Sequence, residues 1–128
     1  VPIMSQMGAC EALVGPKKPL EDMIKEYERR REFVIDRLNE IGLCCHNPQG
    51  AFYAFPSVKG TGMSSGDFAT KLLKEEKVAL VPGTAFGPEG EGYVRISYAT
   101  NYNLLKEAFE RIENFLKKNC SCKRSKKR

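Results

Sequence analysis

Two short apolar runs, VALVP at 78–82 and YVRISYA at 93–99, stand on either side of a loop with glycines at 87, 90 and 92. A parallel pair of strands needs a crossover of about a dozen residues or more, usually with a helix inside it. The segment between these runs is too short and too glycine-rich for that. Pairing must therefore be antiparallel or mixed. A third run, AFYAFPSV at 51–58, is nearly continuous in apolar and aromatic residues and reads as another strand. Pro56 inside it has no N–H to give a ladder, which places this strand at an edge or a bulge.

The rest of the chain has helical spacing. IMSQMGACEALV at 3–14 reads as a short helix, ended by Gly15-Pro16. A longer one begins near Pro19. Its apolar positions Leu20, Ile24, Tyr27, Val34, Leu38 and Ile41 fall in steps of three, four or seven, which is one face of an α-helix. Glu21 and Asp22 suit its first turn, and Gly42 suits its C-terminal end. Ser64 is placed to cap a helix over 65–76, with Asp67 three positions on and Phe68, Leu72 and Leu73 turned inward. A last helix over 102–118 carries Leu105, Ala108, Phe109, Ile112, Phe115 and Leu116 as its stripe. The expected fold is α+β: a three- to four-stranded, mostly antiparallel sheet over 51–55, 78–81 and 93–99, packed with helices.

Composition narrows the function classes. The formal net charge of +5 belongs to one end. Residues 117–128 carry seven Lys or Arg and no acid; the remainder holds 14 basic and 16 acidic residues, a net of −2. The segment 119–128 reads as a basic, flexible tail and the body as near neutral, so nucleic acid is not the expected partner. No apolar stretch is long enough to cross a bilayer. Five cysteines, two of them adjacent, make a poor disulfide framework and fit a reducing compartment. Cys44-Cys45-His46 lacks the spacing of structural zinc, and no metal is expected.

Arg95 is the conspicuous residue. It stands mid-strand between Val94 and Ile96, on the same face as Tyr93, Ser97 and Ala99. A guanidinium is seldom buried alone, because desolvating the charge is costly. It must snorkel at the sheet edge, pair with an internal acid, or meet an anionic ligand, for which its planar fork suits a carboxylate or phosphate. Tyr53 and Phe55 share a face of their strand and read as core. Gly83-Thr84-Ala85-Phe86-Gly87 is neither a P-loop nor a dinucleotide fingerprint and reads as a tight turn. No lysine sits in an apolar stretch, and no catalytic constellation is visible.

Four strings in order carry a resemblance: SQMGACEAL at 5–13, YERRREFVIDRLNEIG at 27–42, PQGAFYAF at 48–55 and VALVPGTAFGPEGEGYVRISYA at 78–99. Together they resemble the C-terminal small domain of the fold-type I, class I/II aminotransferases, the aspartate-aminotransferase-like family. The resemblance covers residues 3 to about 118. It implies a small domain over 1–118, with 1–18 as the linker helix from a preceding large domain of the same polypeptide. It also implies that Arg95 holds the α-carboxylate of an amino-acid or 2-oxo-acid substrate, and that pyridoxal phosphate (PLP) is bound by the large domain, with no cofactor-binding or catalytic residue in this chain. The full-length enzyme would be a cytoplasmic homodimer, and this segment alone inactive. Lyases and synthases share the fold and the arginine, and a free-standing binding module of the same fold is the other alternative.

Overall fold

A computed structural model describes residues 1–119; all but the first residue of the expected tail, 119–128, lies outside them. Helix α1 spans Ile3–Val14 and α2 Lys18–Glu40. Strand β1 (Tyr53–Ala54) precedes α3 (Ser65–Glu76), which leads to β2 (Val81–Pro82), β3 (Val94–Ser97) and α4 (Tyr102–Asn119). Short 3-10 turns occupy Lys59–Thr61, Gly83–Phe86 and Pro88–Gly90.

The three strands form one sheet in the order β1-β3-β2, antiparallel throughout. Tyr53 faces Ser97 across β1–β3, and Val81 faces Arg95 across β2–β3. The α+β class and the antiparallel sheet are as expected; the strands are shorter. β1 covers two residues of the expected run because the chain bends on both sides of it. Ala51 has a left-handed φ of 59°, and Pro56 has no N–H to donate. Pairing resumes only as a single bridge, Ser57 to Tyr93. β1 is an edge strand, as Pro56 requires.

Local chemistry sets the helix ends. The Ser64 hydroxyl oxygen accepts from the Asp67 N–H at 3.1 Å and its O–H donates to the Asp67 carboxylate at 2.8 Å, so the reciprocal contact runs side chain to side chain. Gly42, at φ 87°, turns the chain out of α2 while the Leu43 N–H donates back to the Leu38 carbonyl. Beyond α1, the Lys17 ammonium donates to the Ala12 and Leu13 carbonyls, satisfying acceptors that the helix leaves open.

The core lies between one face of the sheet and helices α2, α3 and α4. Val94, Ile96 and Tyr98 alternate inward from β3 and its continuation, as their spacing predicts. Phe68 meets Phe115 edge-on at 5.4 Å, and Phe33 meets Phe109 edge-on at 5.8 Å, which ties α3 and α2 to α4. Two expectations fail here. Leu73 is exposed, because α3 rests on Phe68, Ala69 and Leu72 and the next position rolls out. The apolar stripe of α2 is buried only in its second half, at Val34, Ile35 and Leu38; Leu20 and Ile24 are exposed, and so is every apolar side chain of α1.

Candidate functional site

The buried face of the sheet uses Ala54, Val94 and Ile96, which leaves Tyr53, Val81, Arg95 and Ser97 together on the open face. Arg95 is half-buried at its centre. Its guanidinium carbon lies 4.4 Å from the centroid of the Tyr53 ring and 4.6 Å from that of Phe86. Tyr53 reaches it from β1, and Phe86 from the turn that follows β2, so the two rings come from opposite edges of the sheet. Among the described residues Arg95 has no salt bridge; every ion pair lies on a helix face or between helices. Of the three roles open to a mid-strand arginine, pairing with an internal acid is therefore the one these residues do not provide.

The aromatic surface continues past Arg95. Phe55 meets Phe86 edge-on at 6.2 Å and stacks on Tyr93 at 5.5 Å, and the Lys59 ammonium lies 4.8 Å from the Tyr93 centroid. Tyr53 and Phe55, expected in the core, belong to this open face instead, with Phe55 40% exposed. The sheet has only one buried face, and Ala54 and Pro56 already take it.

The turn carrying Phe86 is held from beneath. The Gly83 N–H donates to the Tyr93 carbonyl at 2.8 Å, and Gly83 and Gly90 pack backbone to backbone so closely that neither has room for a Cβ. Nearby, the Glu91 carboxylate accepts from the Ser65 N–H at 2.9 Å and from the Ser65 hydroxyl at 2.8 Å. These bonds at the start of α3 hold the Glu91 carboxyl below its usual range. Sequence reasoning missed Glu91, Tyr53 and Phe86 as parts of this region. The alternation through 93–99, and the resemblance that singled out Arg95, pointed toward it.

Other chemistry-bearing groups lie elsewhere. Cys44 is exposed; Cys45 is buried, its thiol pushed up by desolvation and donating to the His46 carbonyl. No group of three or more metal-ligating side chains occurs among the described residues. Every described lysine is exposed, so this donor set does not provide the sheltered amine on which a PLP site depends. No described helix is long and apolar enough to cross a membrane.

The sequence pattern of the family described as "Aminotransferase class I and II" matches residues 2–112, nearly the whole described chain. The chain belongs to this family. As an aminotransferase-family segment it is 54% identical over 114 residues to aromatic-amino-acid aminotransferase 2 of Thermococcus litoralis, covering 88% of this chain and 29% of that protein. The aspartate aminotransferase of Pyrococcus abyssi is 54% identical over the same length, with the same coverage. Among solved structures, the aspartate aminotransferase of Thermotoga maritima superposes with a TM-score of 0.80 at 38% identity, over 91% of this chain and 29% of that one. The aromatic aminotransferase of Pyrococcus horikoshii gives 0.77 at 57% identity, over 79% and 27%. The aminotransferase segment thus spans about three-tenths of the length of the relatives it matches, and its fold is that of their small domain.

Proposed function

We propose that residues 1–118 act as the small domain of a longer PLP-dependent aminotransferase that moves an amino group between an amino acid and a 2-oxo acid. Arg95 binds the substrate α-carboxylate. Residues 1–18 enter from a large domain that supplies the cofactor, and the whole polypeptide works as a cytoplasmic homodimer; the free thiols of Cys10, Cys44 and Cys45 fit a reducing compartment.

The observation that carries this reading is a half-buried arginine on the open face of the sheet with no acid beside it among the described residues. Among the described residues its in-plane N–H groups make no hydrogen bond, and they suit two parallel, charge-assisted bonds to a carboxylate. The relatives fit the same role. An aromatic-amino-acid and an aspartate aminotransferase are equally similar to this chain, as expected if its arginine reads the group that all amino acids share rather than the side chain. PLP, when bound by the large domain, supplies an electron sink for charge at the substrate α-carbon. The part played by this chain is orientation: a carboxylate held in the guanidinium plane is one of the anchors that limit how the α-hydrogen is presented.

The test is Arg95→Lys and Arg95→Ala in the full-length enzyme. Losing a hydrogen-bonded charge partner in a desolvated site costs about 2–5 kcal/mol. At 1.4 kcal/mol per tenfold, kcat/KM for the amino donor falls by roughly 30- to 4,000-fold. Lysine keeps the charge and loses the fork, so it restores only part of the rate. Cofactor binding and Tm stay near those of the parent. A variant that melts early while its folded fraction turns over normally would show that Arg95 is a structural residue.

A further inference from the structure

We propose that Tyr53 and Phe86 are positioning residues that hold the Arg95 guanidinium flat between them, so that only its in-plane edge meets the substrate carboxylate. The inference rests on the reading of Arg95 given above and extends it to how the arginine is held. An arginine that must bind a carboxylate faces a conflict. A protein acid would hold it in place but would also occupy the N–H groups that the substrate needs. An aromatic face resolves this, because a ring attracts the cation through its π-face and takes none of the in-plane donors.

The geometry fits that solution. The rings lie 4.4 and 4.6 Å from the guanidinium carbon, within cation–π range, and arrive from opposite edges of the sheet. Each ring is itself anchored. Tyr53 is fixed by its register against Ser97, diagonal to Arg95 on the same face, and contacts Phe52 at 4.5 Å. Phe86 sits on the turn held by the Gly83–Gly90 contact and is braced edge-on by Phe55. Phe86 is nevertheless 54% exposed, an unfavourable position for a phenyl ring whose only role is packing.

The experiment uses the full-length enzyme with Tyr53→Leu, Phe86→Leu and Tyr53→Phe, each also placed on Arg95→Ala. Tyr53→Leu and Phe86→Leu each raise KM for the amino donor by about threefold to thirtyfold, the range expected for losing one cation–π contact. The change in kcat is smaller than the change in KM, and Tyr53→Phe, which keeps the ring, recovers most of the loss. On the Arg95→Ala background the leucine substitutions have no further effect on KM, because they act through the arginine. Unchanged KM in both leucine variants, or an equal rise on the Arg95→Ala background, overturns the proposal. If Arg95→Ala itself leaves KM and kcat/KM intact, the carboxylate reading falls and this inference with it; if Arg95→Ala is damaging and the leucine variants are silent, only the positioning role falls.

Discussion

Glu91 shows how one side chain ties distant parts of this fold together. It lies in the loop before β3, and its carboxylate takes both the N–H and the hydroxyl of Ser65, 26 residues earlier at the start of α3. Backbone and side-chain hydrogen bonds from Ser65 lower the Glu91 pKa from its ordinary 4.5. A carboxyl with a lowered folded-state pKa stabilises the fold above its unfolded value and loses that contribution as the pH falls through the lowered one. Glu91→Gln is therefore less stable than the parent at neutral pH, and the gap narrows as the pH drops below 4.5. Tm measured for both proteins from pH 7 to pH 3 checks this; parallel curves would remove the charge from the account. Nothing local in GPEGEGY announces the contact, because its partner is not a sequence neighbour. Ser64, by contrast, is legible as a cap because its acceptor and donor lie within three residues.

At the level of elements, the turn between β2 and β3 decides where Phe86 stands. A Cβ on Gly83 would meet the Gly90 backbone and come within 2.8 Å of the Tyr93 carbonyl oxygen, and neither is a flexible side-chain end. Gly83→Ala is expected to cost about 1–3 kcal/mol, as overpacking does. It should also raise KM in the full-length enzyme by displacing Phe86. Gly66, in the first turn of α3 with open space around it, is the control; Gly66→Ala is neutral or slightly stabilising. Denaturant midpoints compare the two, and equal losses would contradict the close-approach argument. The helices were legible to within a residue or two: α1 and α3 run as expected, α4 is one residue longer at its end, and α2 starts slightly before Pro19 and ends at Glu40, ahead of Gly42. The strands were not. An apolar run marks residues that can pair, whereas pairing itself depends on where φ turns positive and where a proline removes a donor, as at Ala51 and Pro56.

For the molecule as a whole, one core holds sheet and helices together, and Phe115 is fully buried at its centre against Phe68. Phe115→Ala should cost about 3–5 kcal/mol, read as a lowered denaturation midpoint. A second apolar surface lies outside that core. Ile3, Met4, Met7, Leu13 and Val14 of α1 are 66–84% exposed, and Leu20, Met23 and Ile24 of α2 are exposed as well. Such a surface is expected to be covered in the longer polypeptide proposed above. In the 128-residue chain it should drive concentration-dependent association, visible by sedimentation. Met4→Lys with Met7→Glu should suppress it without lowering Tm, since no residue of α1 is buried; a large loss of Tm would mean that α1 belongs to the core after all.

By itself the sequence left pairing antiparallel or mixed, through the short, glycine-rich link at 83–92. Its periodicity set the helices, the inward positions Val94, Ile96 and Tyr98, and the oddity of Arg95. These follow from spacing within one element, where 3.6-residue and two-residue repeats are local properties of the backbone. Tertiary structure alone decided which half of the α2 stripe is covered, that Tyr53 and Phe55 face outward, and that two rings rather than an acid flank Arg95. Those outcomes depend on contacts between residues tens of positions apart, and the register of β1 and β2 on β3 brings them together. A strand's repeat separates its two faces, but only the helices packed against the sheet choose which face is core and which is left open for chemistry.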